Sequence, residues 1–496
     1  MGFQLGAADT VILILYGFIL VGMGAYFLRK NRTSEQFMVA DRGIPAWAAG
    51  LAVMSAYTSS ISYIAVPGKA FDSNWHPLIF ALAAIPVAWF VTKFVVPYYR
   101  KKNIISVYGY LEEKIGTWAC IYASLSFVLF MIGRTAVILY LSSLLLSSFI
   151  AVDIRVLIMV IGLITIVYTL MGGMEAVIWT DVMQSVIMVG GILFIGILLT
   201  KEVFARPDFL IQHAFDAKKF SLGETSLSLN SRTIWVMIIY GVTENVRNLI
   251  ADQNYTQKYC SVQDEKKAKR SVWIAMLIYL PLTALFLYIG TTLFAFYSDP
   301  GHVLGESITK GDQVFPRFIA TQLPAGIKGL IIAAILAASM STVDSALNCS
   351  ATVLFVDYYK KYVKPSASER NSVYFLRVIT VIWGIAGIAF ALLLINARSA
   401  LDVWWIIAGI FGGGILGLFL LGVFNVKITR TQGILAVIFS ILIIVWGSFL
   451  RDLPDRVAWI ECRVDPIIIG AMSTAGMLLL ALVFVVTNKW SPGKGT

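Results

Sequence analysis

The feature that most limits how this chain can fold is the recurrence of apolar runs about 20 residues long, each sufficient to carry a helix across bilayer hydrocarbon. Composition follows the same line: 58% of the 496 residues are hydrophobic and 14% are charged, against roughly 25% charged in soluble domains. Apolar length and flanking charge give about thirteen spans in one membrane domain. The formal charge of +11 does not point to nucleic acid, because its distribution is that of membrane loops. Basic residues gather in alternate loops, among them Arg29-Lys30-Asn31-Arg32, Arg100-Lys101-Lys102, Lys266-Lys267-Ala268-Lys269-Arg270 and Lys360-Lys361. This positive-inside pattern places the N-terminus outside and the C-terminus in the cytoplasm of a plasma-membrane protein. The first apolar segment, residues 10–27, has its positive charge behind it rather than in front, so it is expected to stay as a helix. Cys120, Cys260, Cys349 and Cys462 have no metal-ligand spacing and no disulfide framework is expected.

Within this background one run stands apart: Ala337-Ala338-Ser339-Met340-Ser341-Thr342-Val343-Asp344-Ser345. On a helix, Ala338, Ser341, Thr342 and Ser345 share one face, with Asp344 just beside it. A polar stripe in hydrocarbon is costly unless it meets water, a partner or an ion. Hydroxyl, carboxylate and backbone oxygens are the ligands a hard cation such as sodium takes, so the stripe points to ion binding within the bilayer.

Two spans read as interrupted. Residues 46–70 contain Ser55-Ala56-Tyr57-Thr58-Ser59-Ser60-Ile61-Ser62 and then Pro67-Gly68, and residues 234–255 contain Tyr240-Gly241-Val242-Thr243-Glu244-Asn245, then Arg247 and Asp252-Gln253. Each begins a set of five spans. Transporters built from inverted repeats place broken helices in corresponding positions, with substrate between them. Ordinary Ser and Thr bonding within their own helix is the alternative.

The residues that then become recognisable are 39–67, Gly133-Arg134-Thr135-Ala136-Val137, Tyr168-Thr169-Leu170-Met171-Gly172-Gly173-Met174-Glu175-Ala176-Val177-Ile178-Trp179-Thr180-Asp181-Val182-Met183-Gln184, and 331–347. On these the chain resembles the sodium/solute symporter family over roughly residues 37–422, with bacterial sialic acid transporters most alike in appearance. The resemblance implies an all-α polytopic membrane protein of LeuT-like fold. It implies an extra N-terminal helix (10–28), two inverted five-helix repeats (44–202 and 231–424) and two C-terminal helices (430–488). It also implies transport by alternating access, with Na+ as coupling ion and no organic cofactor.

Carried onto matching positions, the family's first sodium site would comprise the carbonyls of Ser55, Thr58 and Ala338 and the hydroxyls of Ser341 and Thr342. The second site of sialic acid transporters would fall on Asp181, Ser341, Asp344 and Ser345, although those relatives have serine where this chain has Asp344. A solvated or capping role near a helix end is the alternative for Asp181. Arg134 sits in an apolar helix, and a buried guanidinium needs an anionic partner. The resemblance makes that partner the substrate carboxylate; the rival is a structural pair with Glu244 or another acid on a neighbouring helix. Tyr57, Ser59, Ser60 and Ser62 offer themselves to a polyhydroxylated ligand. Asp252, Gln253 and Tyr255 match the polar run by which sugar symporters contact or gate substrate, with a solvated helix end as the alternative. The resemblance to sialic acid transporters also implies a glutamine on the next helix, at a position that falls here near Ala81 in the apolar run Leu78-Ile79-Phe80-Ala81-Leu82. Gly409-Ile410-Phe411-Gly412-Gly413-Gly414 permits close helix approach or hinging.

The expected function is sodium-coupled import of a small polar solute, a sialic acid or related sugar or sugar acid. Alternatives are symport of a neutral sugar, polyol or other organic solute, and a non-transporting sensor. An enzyme is not expected, since His76, His213 and His302 all fall in outside regions and form no catalytic pair. The expected partners are the solute and the lipid bilayer; the oligomeric state stays open, a monomer included.

Overall fold

The computed structural model describes residues 5–28, 32–147, 149–150, 152–204, 207–299, 301–302, 304, 308, 310–395, 414–451 and 460–490. Among them nine helices are long and apolar enough to cross a bilayer, and a bent pair makes a tenth. The span expected near residue 411, and the glycine run up to Gly414, lie outside the described residues. Gly414 itself opens a short apolar helix, Gly414–Val423.

In chain order, α1 is Ala7–Leu28, α2 Ser34–Val39, α3 Ala46–Tyr57, α4 Ser60–Asp72, α5 Leu78–Phe90, α6 Val96–Lys101, α7 Gly109–Lys114, α8 Thr117–Ser147 and α9 Ile154–Phe204. Then come α10 Pro207–Asp216, α11 Ile234–Val246, α12 Gln253–Cys260, α13 Glu265–Ser298, α14 Val314–Gln322, α15 Ile327–Leu354 and α16 Glu369–Leu394. The helix beginning at Gly414 is α17; α18 is Arg430–Phe449 and α19 Ile469–Trp490.

Both expected interruptions are present. α3 and α4 are separated by extended backbone at Thr58 (φ −114, ψ 102) and Ser59 (φ −105, ψ 178), and the chain bends there by 54°. α11 runs into a π-helical turn, Arg247–Ala251. Asp252 is then extended (φ −102, ψ 116) before α12 begins. α9 has 51 residues, more than the roughly 20 that one crossing needs. Its backbone leaves the helical region at Gly173 (φ 54, ψ −155), a conformation open to glycine and closed to most other residues. The double glycine of the Gly-Gly-Met-Glu motif is therefore a hinge between two helical stretches.

α15 is the centre of the molecule. Every residue from Ile331 to Val353 is buried, whereas only 22% of the apolar window of α1 is buried. α15 meets α9, α8, α16, α1, α12, α3 and α4. A helix enclosed on all sides by protein can carry polar groups that lipid would not tolerate, provided its neighbours supply partners. Its first turn is capped from another helix: Asp9 at the start of α1 accepts the backbone N–H groups of Gly326 and Gly329, each at 2.7 Å. That carboxylate satisfies donors a helix start leaves free and complements its dipole.

Candidate ion and substrate site

Ser341 is the meeting point. Its hydroxyl donates to Asp181 Oδ1 on α9 and is hydrogen-bonded to Ser55 Oγ, near the end of α3. One turn of α15 thus ties together the broken helix and α9. Thr342 Oγ1, one residue on, donates to the carbonyl of Ala338 at 3.1 Å. A hydroxyl held this way keeps its lone pairs free for a cation. Ser55, Ser341, Thr342 and Thr58 are all 1% exposed or less.

The positions carried over for a second ion have surroundings that the sequence did not disclose. Asp181 is fully buried, not solvated near a helix end, and its Oδ2 lies 2.9 Å from Lys258 Nζ, itself fully buried. Lys258 also donates to the carbonyl of Ala52 on α3 at 3.1 Å. Asp344 is held by hydroxyls: Tyr168 donates to its Oδ2 at 2.8 Å, Thr180 to the same oxygen at 3.3 Å, and Ser345 to Oδ1 at 3.2 Å. Among the described residues no basic side chain pairs with Asp344.

The substrate candidates divide into two groups. Arg134 donates to the carbonyl of Ala56 at 3.2 Å, and Tyr255 donates to the same oxygen at 3.0 Å. The end of α3 is therefore a focus for both. The Tyr57 ring lies 4.7 Å from Tyr255 and 4.9 Å from Tyr279, centroid to centroid. Among the described residues Tyr57 Oη and Ser60 Oγ are buried without a hydrogen-bond partner, and buried polar atoms of this kind call for a partner that a ligand can provide. Ser62 Oγ accepts the Ser59 backbone N–H at 3.3 Å, which starts α4 after the break.

The other group faces the protein. Asp252 is 1% exposed; it caps α12 by accepting Asn254 N–H at 2.9 Å and lies 3.5 Å from Arg247. The acid proposed as a rival partner of Arg134 is engaged elsewhere: Glu244 pairs with Arg247 at 2.8 Å. Among the described residues no carboxylate pairs with Arg134. Gln253 donates to the Ile105 carbonyl at 2.7 Å and accepts the Val107 N–H at 3.0 Å, which fastens the start of α12 to the segment before α7. The whole of α12 is buried, so a solvated helix end is excluded for Asp252, Gln253 and Tyr255.

Lys258, Tyr168 and Thr180 were not singled out by sequence reasoning as site residues. Tyr168 and Thr180 lie in the motif that carried the resemblance. Lys258 follows a polar run, Asp252–Gln257, that has the composition of a solvated loop; its isolation from the basic cluster at Lys266–Arg270 was the one available signal.

The family model for the sodium:solute symporter family matches residues 37–440. The chain belongs to the sodium:solute symporter family. Among similar members, the sodium/sialic acid symporter NanT of Aliivibrio fischeri is 33% identical over 452 residues, covering 90% of this chain and 89% of that protein. A Na+-coupled sialic acid symporter, solved substrate-bound and outward-open with a novel Na+ site, superposes with a TM-score of 0.88 at 30% identity. That superposition covers 97% of this chain and 98% of the other. A nucleobase-cation-symport-1 family transporter in a closed conformation gives a TM-score of 0.56 at 14% identity over 91% of this chain and 95% of its own. That last likeness is one of fold alone. With it, this sodium:solute symporter has the LeuT-like fold that the sequence resemblance implied.

Proposed function

We propose that this protein is a plasma-membrane symporter that uses a sodium gradient to import a sugar acid of the sialic acid type by alternating access. The observation that carries the reading is the Ser341 hydroxyl, which joins the broken helix at Ser55 to Asp181 on α9. In this reading sodium binds between the carbonyls of Ser55, Thr58 and Ala338 and the hydroxyls of Ser341 and Thr342. It orders the α3–α4 break, and the break in turn orders the substrate-facing groups. Arg134, which has no carboxylate partner among the described residues, takes the carboxylate of the solute as a planar fork suits. Tyr57, Ser59, Ser60, Ser62 and Tyr255 line the polyol side, with Asp252 and Gln253 holding α12 in place behind Tyr255.

The two inverted repeats, 44–202 and 231–424, would rock about this centre, with helix 10–28 and the pair 430–488 outside the core. The basic loops place the N-terminus outside and the C-terminus in the cytoplasm. The energy suffices: each net positive charge moving through 100 mV contributes roughly 2.3 kcal/mol, and a tenfold sodium gradient about 1.4 kcal/mol. One observation favours a second reading, symport of a neutral sugar: Ala81, near the position where the resemblance to sialic acid transporters implies a glutamine, is buried and apolar.

Uptake of labelled N-acetylneuraminate into liposomes containing the purified chain tests the proposal. Expected is saturable, sodium-dependent uptake, with Ser341→Ala raising the sodium requirement about tenfold or more, the loss of at least one ligand's worth of binding. Uptake that is unchanged when potassium replaces sodium overturns it. Competition by neutral sugars but not by sugar acids moves the reading to the second solute class.

A further inference from the structure

We propose that α2 and the turn Ala40–Arg42 form a strained plug below the ion site, held shut by the side-chain amides of Gln257 and Asn348, and that release of this latch opens the site to the cytoplasm. The proposal rests on the symport reading above for what the plug gates and on the basic loops for which face is cytoplasmic. It goes beyond that reading in assigning the inner gate to named residues.

α2 has six residues, Ser34–Val39, far fewer than a helix needs to hold itself in water, so its order comes from where it is docked. Phe37, Met38 and Val39 are buried against Ala351, Phe355 and Leu376 in an apolar cluster separate from the main core. The carbonyls at the end of a helix lack partners within it, and here two of them are held by amides from other helices. Asn348 on α15 donates to the Phe37 carbonyl at 3.3 Å. Gln257 on α12 donates to the Met38 carbonyl at 2.5 Å, and its Nε2 also lies 2.9 Å from Asn348 Oδ1 and 3.0 Å from Thr352 Oγ1. One buried side chain therefore joins α2, α12 and α15. Asn348 is seven residues past Ser341, toward the basic pair Lys360-Lys361, and roughly 10 Å further along α15. The plug thus sits about two turns beyond the ion site, against the helices that carry Ser341, Tyr255 and Lys258.

The chain leaves α2 in a conformation that favours release. Ala40, Asp41 and Arg42 have φ of 52°, 48° and 58°. Left-handed backbone is disfavoured for each of these residues, and three in succession are unusual. Strain of this kind persists only where the surroundings fix it. They do so from both sides of the turn. The latch holds α2, while Arg42 donates to the Asn103 carbonyl at 3.2 Å and the Ile44 N–H to the Ser261 carbonyl at 3.2 Å. Breaking the latch lets the turn relax, which offsets part of the cost of undocking α2. Two states follow, one shut and strained, the other open and relaxed.

The test reads the free cysteine beside the latch. Cys349 adjoins Asn348 and is 1% exposed; Cys462, between α18 and α19, is equally free, 3% exposed, and serves as the control. The purified full-length chain is treated with N-ethylmaleimide, and labelling of each cysteine is followed in time by peptide mass spectrometry. Gln257→Leu, which removes the latch, should label Cys349 about tenfold faster than the wild type. Ala40→Gly keeps the latch and accepts left-handed backbone without strain, so it should label Cys349 about fivefold more slowly. In liposomes the same variant should lower the maximal rate of uptake, whereas an α2 that only supports the fold leaves that rate unchanged. Labelling of Cys349 that is not accelerated in Gln257→Leu or not slowed in Ala40→Gly overturns the proposal. Equal acceleration at Cys462 does so too, because the whole fold has then loosened, and so does uptake by Ala40→Gly at the full wild-type rate. Should Gln257→Leu fail to fold, Ala40→Gly decides alone. Failure of the symport reading looks different. Labelling that shifts as expected in the variants, beside a wild type without sodium-driven uptake, overturns symport and leaves the plug standing; sodium-driven uptake beside unshifted labelling overturns the plug alone.

Discussion

Asp181 and Asp344 face the same helix interface from opposite sides, α9 and α15, and both are fully buried. They are compensated in different ways. Asp181 has a full opposite charge, Lys258, at 2.9 Å. Asp344 has the hydroxyl dipoles of Tyr168, Thr180 and Ser345 and, among the described residues, no cation. An ion pair balances charge through one strong contact that fails entirely when either member is lost. A ring of hydroxyls distributes the work, so each contact can be lost at modest cost.

The largest expected effect lies on the ion-pair side. Asp181→Ala leaves the Lys258 ammonium buried without its partner, a loss of about 3–5 kcal/mol for a broken buried pair. The check is thermal unfolding in detergent, and added sodium should not restore the loss, because the uncompensated charge is now positive. Full rescue by sodium would break the comparison at its root. Asp344→Asn should cost less, about 1–3 kcal/mol. It keeps the volume and one acceptor oxygen, and it sets an amide N–H against hydroxyls that now donate to a carboxylate. If the same unfolding measurement ranked Asp344→Asn above Asp181→Ala, the hydroxyl ring would be the weaker device and the contrast would reverse.

How far the sequence foretold this interface differs between its parts. The polar stripe of α15 was legible because Ala338, Ser341, Thr342 and Ser345 recur at helical spacing in an apolar run, and periodicity is what a single sequence displays. The two helix breaks were legible for a similar reason, since clustered Ser and Thr at 55–62 and a charged group at 244–253 interrupt apolar runs at corresponding places. The motif at 168–184 gave the family without giving the local chemistry: Gly173 as a hinge follows from its φ of 54°, which no spacing reveals. Lys258 was not legible. It lies 77 residues from Asp181 in the chain, and a lone lysine in a polar run has the look of a loop residue until tertiary packing buries it. The Glu244–Arg247 pair, where Glu244 stood only as one candidate partner of Arg134, was not legible for a related reason. Arg134 and Arg247 both lie within reach of a sequence argument, but the shorter separation along the chain, three residues, decided the pairing.

The smallest effect is expected on the aqueous side, where the same principle of compensation acts on a group that avoids charge. His76, between α4 and α5, is 7% exposed and hydrogen-bonded to Asn74 at 2.8 Å. Burial pushes its pKa down from 6.5 to about 4, and the nearby cations Arg232 and Lys69 push in the same direction. The folded protein therefore binds this proton less readily than the unfolded chain, so the stability that comes from a neutral His76 is complete above about pH 6.5 and is lost progressively as pH falls toward 4. His76→Gln removes the titrating group and keeps a polar side chain of similar reach. Between pH 7 and pH 5 the unfolding temperature of the wild type should then fall slightly more than that of the variant, a difference set by one proton. Parallel pH profiles would show that His76 is free to charge in the folded state. The two basic neighbours would then be no barrier to a further positive charge.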